Sequence, residues 1–114
     1  MFKKSGVGKY TETVKGVHMK TMVYGEKTLL TEVRMDKGAV IPPHSHPHEQ
    51  TGYLVSGHMD FLVASEHHIA KPGDSWNIAG DIEHGATALE DSVVVEVFAP
   101  VREDYLPYYT ASEE

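Results

Sequence analysis

The chain has 114 residues, 40% of them hydrophobic and 24% charged, with a formal net charge of −7 at pH 7 and no cysteine. This length suits one domain with a real core, here residues 1–114. The acidic balance argues against nucleic-acid binding, which needs clustered Lys and Arg. The lack of cysteine excludes disulfides and thiolate ligands. No apolar stretch approaches the roughly 20 residues of a membrane span, and without a convincing signal peptide we expect a cytoplasmic location.

Short β-rich segments, separated by Gly and Pro turn signals, follow one another along the chain. In the first segment Leu29, Thr31, Val33 and Met35 share one face. No segment shows a convincing helical period, so helix should be scarce. This pattern of short strands separated by turns suggests a β-sandwich or a closed β-barrel. The predicted strands are residues 28–35, 53–55, 58–63, 75–78 and 92–98.

Residues 38–51 contain what looks like half of a metal site. His44 and His46 point the same way on an extended strand, because side chains alternate with period two. Gln50 keeps the same parity and can face the same interior. A fourth ligand must come from elsewhere, and His84 is a candidate. The amide is unusual, since a strong divalent-metal site would more often offer a carboxylate.

These positions resemble the two sequence motifs of the cupin superfamily, over roughly residues 25–105. The first motif is matched at Gly38, His44, His46 and Gly57, with Gln50 where glutamate is usual. The second is matched at Gly73 and His84, while Ala79, Asp81 and Ala88 replace its proline, second glycine and asparagine. The resemblance implies an all-β cupin double-stranded β-helix, or jelly-roll barrel, with one metal ion held by His44, His46, Gln50 and His84.

Two flanking regions complete the expected single domain. An N-terminal strand region covers residues 1–24, and a C-terminal arm covers residues 105–114. The chain resembles small cupins that form dimers, and this resemblance implies a homodimer. Tyr105, Tyr108 and Tyr109 could anchor that interface, or they could pack within the chain.

The four proposed ligands are all neutral, so a divalent ion keeps its full positive charge and is a stronger Lewis acid. Histidine and amide donors accept Ni, Zn, Fe, Mn or Co, and the sequence does not choose among these metals. A cupin that folds without metal is the alternative for the three histidines.

A narrower resemblance links residues 44–50, 73–78, 84–86 and 97–106 to small cupins that linearise 4,5-unsaturated uronates from pectin or alginate. Phe98 and Arg102 match that family's last-strand pattern. Glu96 stands where the family has its acid/base aspartate, so the carboxyl lies about one methylene further out.

The expected function is therefore non-redox isomerase- or lyase-like chemistry on a small carboxylate such as an unsaturated uronate. Glu96 would move a proton and Arg102 would pair the substrate carboxylate. Phe98, Tyr53 and Trp76 are candidate pocket walls. A surface ion pair is the alternative for Glu96 with Arg102. A cupin dioxygenase and a sugar-binding module without turnover are the competing functions.

Overall fold

Ten β-strands and one short 3-10 helix form the described part of the chain, residues 1–110 of a computed structural model. The 3-10 helix spans Glu103–Tyr108. The strands are β1 (Thr11–Val14), β2 (Val17–Tyr24), β3 (Leu29–Met35), β4 (Val40–His44), β5 (Glu49–Ser56), β6 (Met59–Val63), β7 (Glu66–Ala70), β8 (Ser75–Ile78), β9 (His84–Ala88) and β10 (Ser92–Ala99).

The strands form two sheets whose neighbouring strands all run antiparallel. The larger sheet has the order β1-β2-β3-β10-β5-β8, and the smaller has the order β4-β9-β6-β7. Non-consecutive neighbours such as β10 between β3 and β5 are typical of a jelly roll. The predicted all-β jelly-roll fold is confirmed.

Period-two alternation explains which face of each strand is buried. In β3 the side chains of Leu29, Thr31, Val33 and Met35 are buried, as the sequence predicts. In β10 the buried residues Val94 and Phe98 flank Glu96, so this carboxylate lies on the inner face of the larger sheet. The apolar core therefore surrounds a polar group whose position the strand register fixes.

The larger sheet starts before residue 25. β2 pairs with β3 along its length, from Val17 opposite Met35 to Tyr24 opposite Leu29. Val17 and Met19 belong to the buried core. The N-terminal strand region thus contains β2 as an integral part of the barrel, with β1 as the edge strand outside it.

The C-terminal segment packs against its own barrel. Thr21 Oγ1 on β2 donates a hydrogen bond to the carbonyl oxygen of Tyr105 at 2.6 Å. The rings of Tyr24 and Tyr109 meet edge to face at 5.3 Å. Residues 111–114 of the predicted arm lie outside the described residues. Within residues 1–110, no helix is long and apolar enough to cross a membrane.

Candidate metal centre and active site

Three histidines from two neighbouring strands and the loop beside them converge at one end of the barrel. His44 ends β4 and His84 begins β9, and the two lie opposite each other in the register. Their ring centroids are 4.4 Å apart, and the centroid of His46 is 4.9 Å from that of His84. One ligand nitrogen from each ring lies within 4.8 Å of the others. This spacing suits one shared ion.

Backbone carbonyls orient two of these rings. Nδ1 of His44 is 2.9 Å from the carbonyl oxygen of Pro42, and Nδ1 of His84 is 2.8 Å from that of Ile82. A donating Nδ1–H leaves the Nε2 lone pair available as a metal ligand. Nε2 of His84 is buried and has no hydrogen-bond partner among residues 1–110. A metal ion would satisfy this buried atom.

Burial favours the neutral form of the inner histidines. It lowers the pKa of both His46 and His84 below the ordinary value, and the charge of Arg102 acts in the same direction on each. Metal binding requires a neutral imidazole. The surroundings of these rings therefore favour the protonation state that ligation needs.

Gln50 joins the histidines from the opposite sheet. Its side chain is 5% exposed, and its Oε1 lies 2.9 Å from Nε2 of His46. Two neighbouring ligand atoms that each bind one ion at roughly 2.1 Å are about 3.0 Å apart at an octahedral angle and about 3.4 Å apart at a tetrahedral one. The pair therefore fits two neighbouring ligand positions. His44, His46, His84 and Gln50 together supply three nitrogen donors and one oxygen donor, a set that suits a transition metal.

Glu96 lies directly behind the amide of Gln50. Nε2 of Gln50 donates to Oε2 of Glu96, and the indole Nε1 of Trp76 donates to the same oxygen at 3.1 Å. Burial raises the pKa of Glu96, and these two hydrogen bonds and the charge of Arg102 oppose that rise. Because both donors bind Oε2, Oε1 is left for another partner.

Arg102 is buried beside the site and does not form a surface ion pair with Glu96. Its side chain donates to Asp104 through Nε at 3.1 Å and through Nη2 at 2.7 Å. The guanidinium lies 3.7 Å from the ring centroid of Tyr105 and 5.0 Å from that of Phe98. The alternative of a rim ion pair is therefore wrong, since the fork of Arg102 binds Asp104. Two of the five N–H donors of an arginine are used in this way.

A cavity of about 120 Å³ opens at the histidines. Its polar wall includes His44, Gln50, His84, Glu96 and Arg102. Its apolar wall includes Met19, Val33, Ile41, Phe61, Phe98 and Tyr105. The structure thus places Phe98 in the cavity wall, where its ring is 5.8 Å from that of His46.

Tyr53 does not reach this cavity. It is 47% exposed, whereas its neighbours Gly52 and Leu54 are buried. Side chains at odd positions of β5 point outward, and Gln50 is at an even position. Tyr53 therefore lies on the outer face of the larger sheet, contrary to its prediction as a pocket wall.

Trp76 is on the inner face of β8 but outside the cavity wall. Its ring packs against Phe61 at a centroid distance of 4.3 Å, and its N–H is bonded to Glu96. It therefore lies behind the carboxylate instead of facing a ligand in the cavity, which differs from its predicted place.

Two residues of the site have roles that the sequence did not predict. Asp104 binds the guanidinium of Arg102, and Tyr105 stacks on it and lines the cavity. Burial raises the pKa of Tyr105 to about 12, so its hydroxyl stays neutral. The spacing Arg102-x-Asp104 is a signal for the first contact. The second depends on the turn of the 3-10 helix.

Known proteins with this fold match the chain over most of its length. Residues 31–99 match the Cupin domain family. The chain is 31% identical over 93 residues to the pectin degradation protein KdgF of Dickeya dadantii strain 3937, which covers 80% of this chain and 84% of that protein.

Two solved structures extend the likeness to three dimensions. KdgF from Halomonas sp. has a TM-score of 0.82 at 34% identity, with 86% of this chain and 91% of that chain covered. An RmlC-like cupin from Shewanella frigidimarina NCIMB 400 has a TM-score of 0.88 at 24% identity, over 92% and 95% of the two chains, and shows the fold alone. The chain belongs to the cupin family and is similar to KdgF within it.

Proposed function

We propose that this protein is a metal-dependent, non-redox enzyme that linearises an unsaturated uronate. The observation that carries the proposal is the position of Glu96, whose carboxylate borders the cavity and is joined through Gln50 to the histidine cluster. A proton-transfer group thus stands next to a candidate metal site. The similarity to a pectin degradation protein supports a sugar acid as the substrate.

The candidate metal ligands are His44, His46, Gln50 and His84. A divalent ion held by these neutral donors would supply Lewis-acid polarisation of substrate oxygen atoms. Ni, Zn, Fe, Mn and Co are all compatible with this donor set.

Glu96 performs the proton transfers in the proposed reaction. Its Oε1 takes the proton of the anomeric hydroxyl, and the electron pair of that O–H bond forms the carbonyl of an aldehyde at the anomeric carbon. The bond between the anomeric carbon and the ring oxygen breaks, and its electron pair stays on the ring oxygen. The resulting enolate takes the proton back from Glu96 at the alkene carbon that does not carry the ring oxygen, and becomes a ketone. The reaction is an isomerisation, so it needs no oxidant.

Arg102 and the cavity walls orient the substrate. The N–H donors of Arg102 that do not bind Asp104 are available to a substrate carboxylate. The ring of Phe98 covers the apolar side of the cavity.

Homodimer formation and a cytoplasmic location are part of the same proposal. The three C-terminal tyrosines make contacts within the chain, namely Tyr105 with Phe98, Tyr105 with Tyr108, and Tyr109 with Tyr24. They therefore give no support to a dimer, which sedimentation of the purified protein would test.

Ultraviolet absorbance tests the reaction, because the alkene of an unsaturated uronate is conjugated with its carboxylate and is lost on linearisation. We expect the metal-loaded protein to remove this absorbance without consuming oxygen. Glu96→Gln should lower kcat roughly 100-fold or more, which is the usual contribution of a proton-transfer group. Glu49→Gln is the matched control, because Glu49 is exposed on the outer face of the sheet and bonded to Asn77.

The competing functions give different results in this assay. Oxygen consumption coupled to substrate loss would indicate a cupin dioxygenase. Saturable binding of the uronate without any loss of absorbance would indicate a sugar-binding module. Either result would overturn the proposed isomerisation.

A further inference from the structure

Glu96, Gly52 and Trp76 form one row across three neighbouring strands. Glu96 on β10 lies opposite Gly52 on β5, and Gly52 lies opposite Trp76 on β8. Residues in register across adjacent strands share a face of the sheet. All three therefore point toward the interior, and Gly52 separates the other two.

Gly52 leaves the space through which the indole reaches Glu96. A Cβ at this position would lie 2.2 Å from Nε1 of Trp76 and 2.3 Å from Cε2. Gly52 is not among the glycines with positive φ, so its backbone conformation is open to other residues. The glycine is thus required for clearance and not for a special backbone angle.

The indole is held in this position from two sides. One end donates the 3.1 Å hydrogen bond to Oε2 of Glu96, and the ring packs against Phe61 at 4.3 Å. β8 and β10 are two strand spacings apart, roughly 9.6 Å. The large side chain of Trp76 bridges this distance only because Gly52, on the strand between them, has no side chain. A tryptophan on a distant strand is thereby in direct contact with the carboxylate.

We propose that Trp76 is a positioning residue for Glu96 and that Gly52 provides the clearance it needs. Trp76 and Gln50 together anchor Oε2 of Glu96 and turn Oε1 of Glu96 toward the cavity. The kinetic part of this inference rests on the proposed function, whereas the contact itself does not.

Tryptophan fluorescence tests the contact without any substrate. Trp76 is the single tryptophan of the chain, so the emission spectrum reports on one indole. Glu96→Gln exchanges the carboxyl group that accepts the indole N–H for an amide, and we expect the emission maximum of Trp76 to differ from that of the wild type. Glu49→Gln changes a carboxylate on the outer face and should leave the spectrum unchanged. An unchanged spectrum in Glu96→Gln would overturn the inference.

Kinetics test the positioning role. Trp76→Phe keeps a ring against Phe61 but removes the donor, and should lower kcat about tenfold, with KM and bound metal within about twofold of wild type. Gly52→Ala keeps the donor but displaces the indole, and should reproduce the kcat loss of Trp76→Phe and the fluorescence change of Glu96→Gln. Full kcat in Trp76→Phe, or an equal loss of metal and activity, would contradict the role.

The two failures are distinguishable. If the wild type leaves unsaturated uronates unchanged, the proposed function fails, and the fluorescence of Glu96→Gln and Gly52→Ala still decides whether Trp76 contacts Glu96. If turnover occurs and Trp76→Phe matches the wild type, the function stands and the positioning role is wrong.

Discussion

Gln50 connects two parts of the site through the two ends of one amide. Its oxygen faces Nε2 of His46, and its nitrogen faces Oε2 of Glu96. A carboxylate at this position would have no N–H to donate to Oε2 of Glu96. The contact gives a physical reason for the amide, which the sequence shows only as a departure from the usual cupin glutamate.

Exchanging the two groups tests this contact. Gln50→Glu removes the amide N–H that donates to Glu96 and brings two carboxyl groups together, and we expect it to lower the free energy of unfolding of the metal-free protein by about 1–3 kcal/mol. The double variant Gln50→Glu with Glu96→Gln restores an amide–carboxylate pair and should recover most of that loss. Urea unfolding with chelator measures both. Additive losses in the double variant would contradict a direct contact.

Arg102 combines a forked ion pair with stacking on Tyr105, and lysine reproduces neither. Arg102→Lys should therefore raise KM for a carboxylate substrate about tenfold, a change equivalent to about 1.4 kcal/mol. Arg34→Lys is the matched control, since Arg34 is exposed and bonded to Tyr10 and Glu32 away from the site. Steady-state kinetics measure KM for both variants. Equal KM values for Arg102→Lys and Arg34→Lys would contradict this role of Arg102.

At the scale of the strand, parity predicts which side chains reach the interior. Applied to β5, parity places Gln50 inside the barrel and Tyr53 outside it. The prediction of Tyr53 as a pocket wall did not take this parity into account. Glu96 and Phe98 follow from the same rule on β10. Strand pairing does not follow from parity, so the contact of Trp76 with Glu96 across an intervening strand was beyond sequence reasoning.

Alternation on β5 gives a stability prediction with a control on the adjacent residue. Leu54 is fully buried and Val55 is 48% exposed. We expect Leu54→Ala to lower the free energy of unfolding by about 2–5 kcal/mol, and Val55→Ala to change it by about 0.5 kcal/mol or less. Denaturant unfolding measures the difference. Similar losses at both positions would mean that the assigned face of β5 is wrong.

Elements with weak internal patterns were the least predictable. β7 is exposed at four of its five positions, so it has no apolar alternation to mark it. The 3-10 helix at Glu103–Tyr108 has no fully buried residue, and its place depends on contacts with β2 and the rings of the site. Local sequence does not encode such contacts.

At the scale of the whole molecule, the candidate ligands come from both sheets. His44 and His84 belong to the smaller sheet, whereas Gln50 belongs to the larger one. An ion bound by all of them would tie the sheets together at the open end of the barrel. The two cupin motifs predict this arrangement because they bring distant segments to one end. They do not predict the carboxylate behind the amide.

Metal binding should therefore stabilise the fold. At an ion concentration roughly 100 times Kd, the linkage amounts to about 2.7 kcal/mol. We expect a higher Tm with a divalent transition metal and no such shift in His84→Ala. His67→Ala, which removes an exposed histidine on β7, should keep the full shift. An equal shift in all three proteins would place the ion elsewhere.

The most direct test of the central claim is proton NMR of an unsaturated uronate incubated without oxygen with the metal-loaded protein. We predict that the alkene signal of the ring form disappears in favour of a linear keto product, and that chelator or His84→Ala prevents this. An alkene signal that persists at the rate of the protein-free control, with each of Ni, Zn, Fe, Mn and Co, would contradict the proposed function.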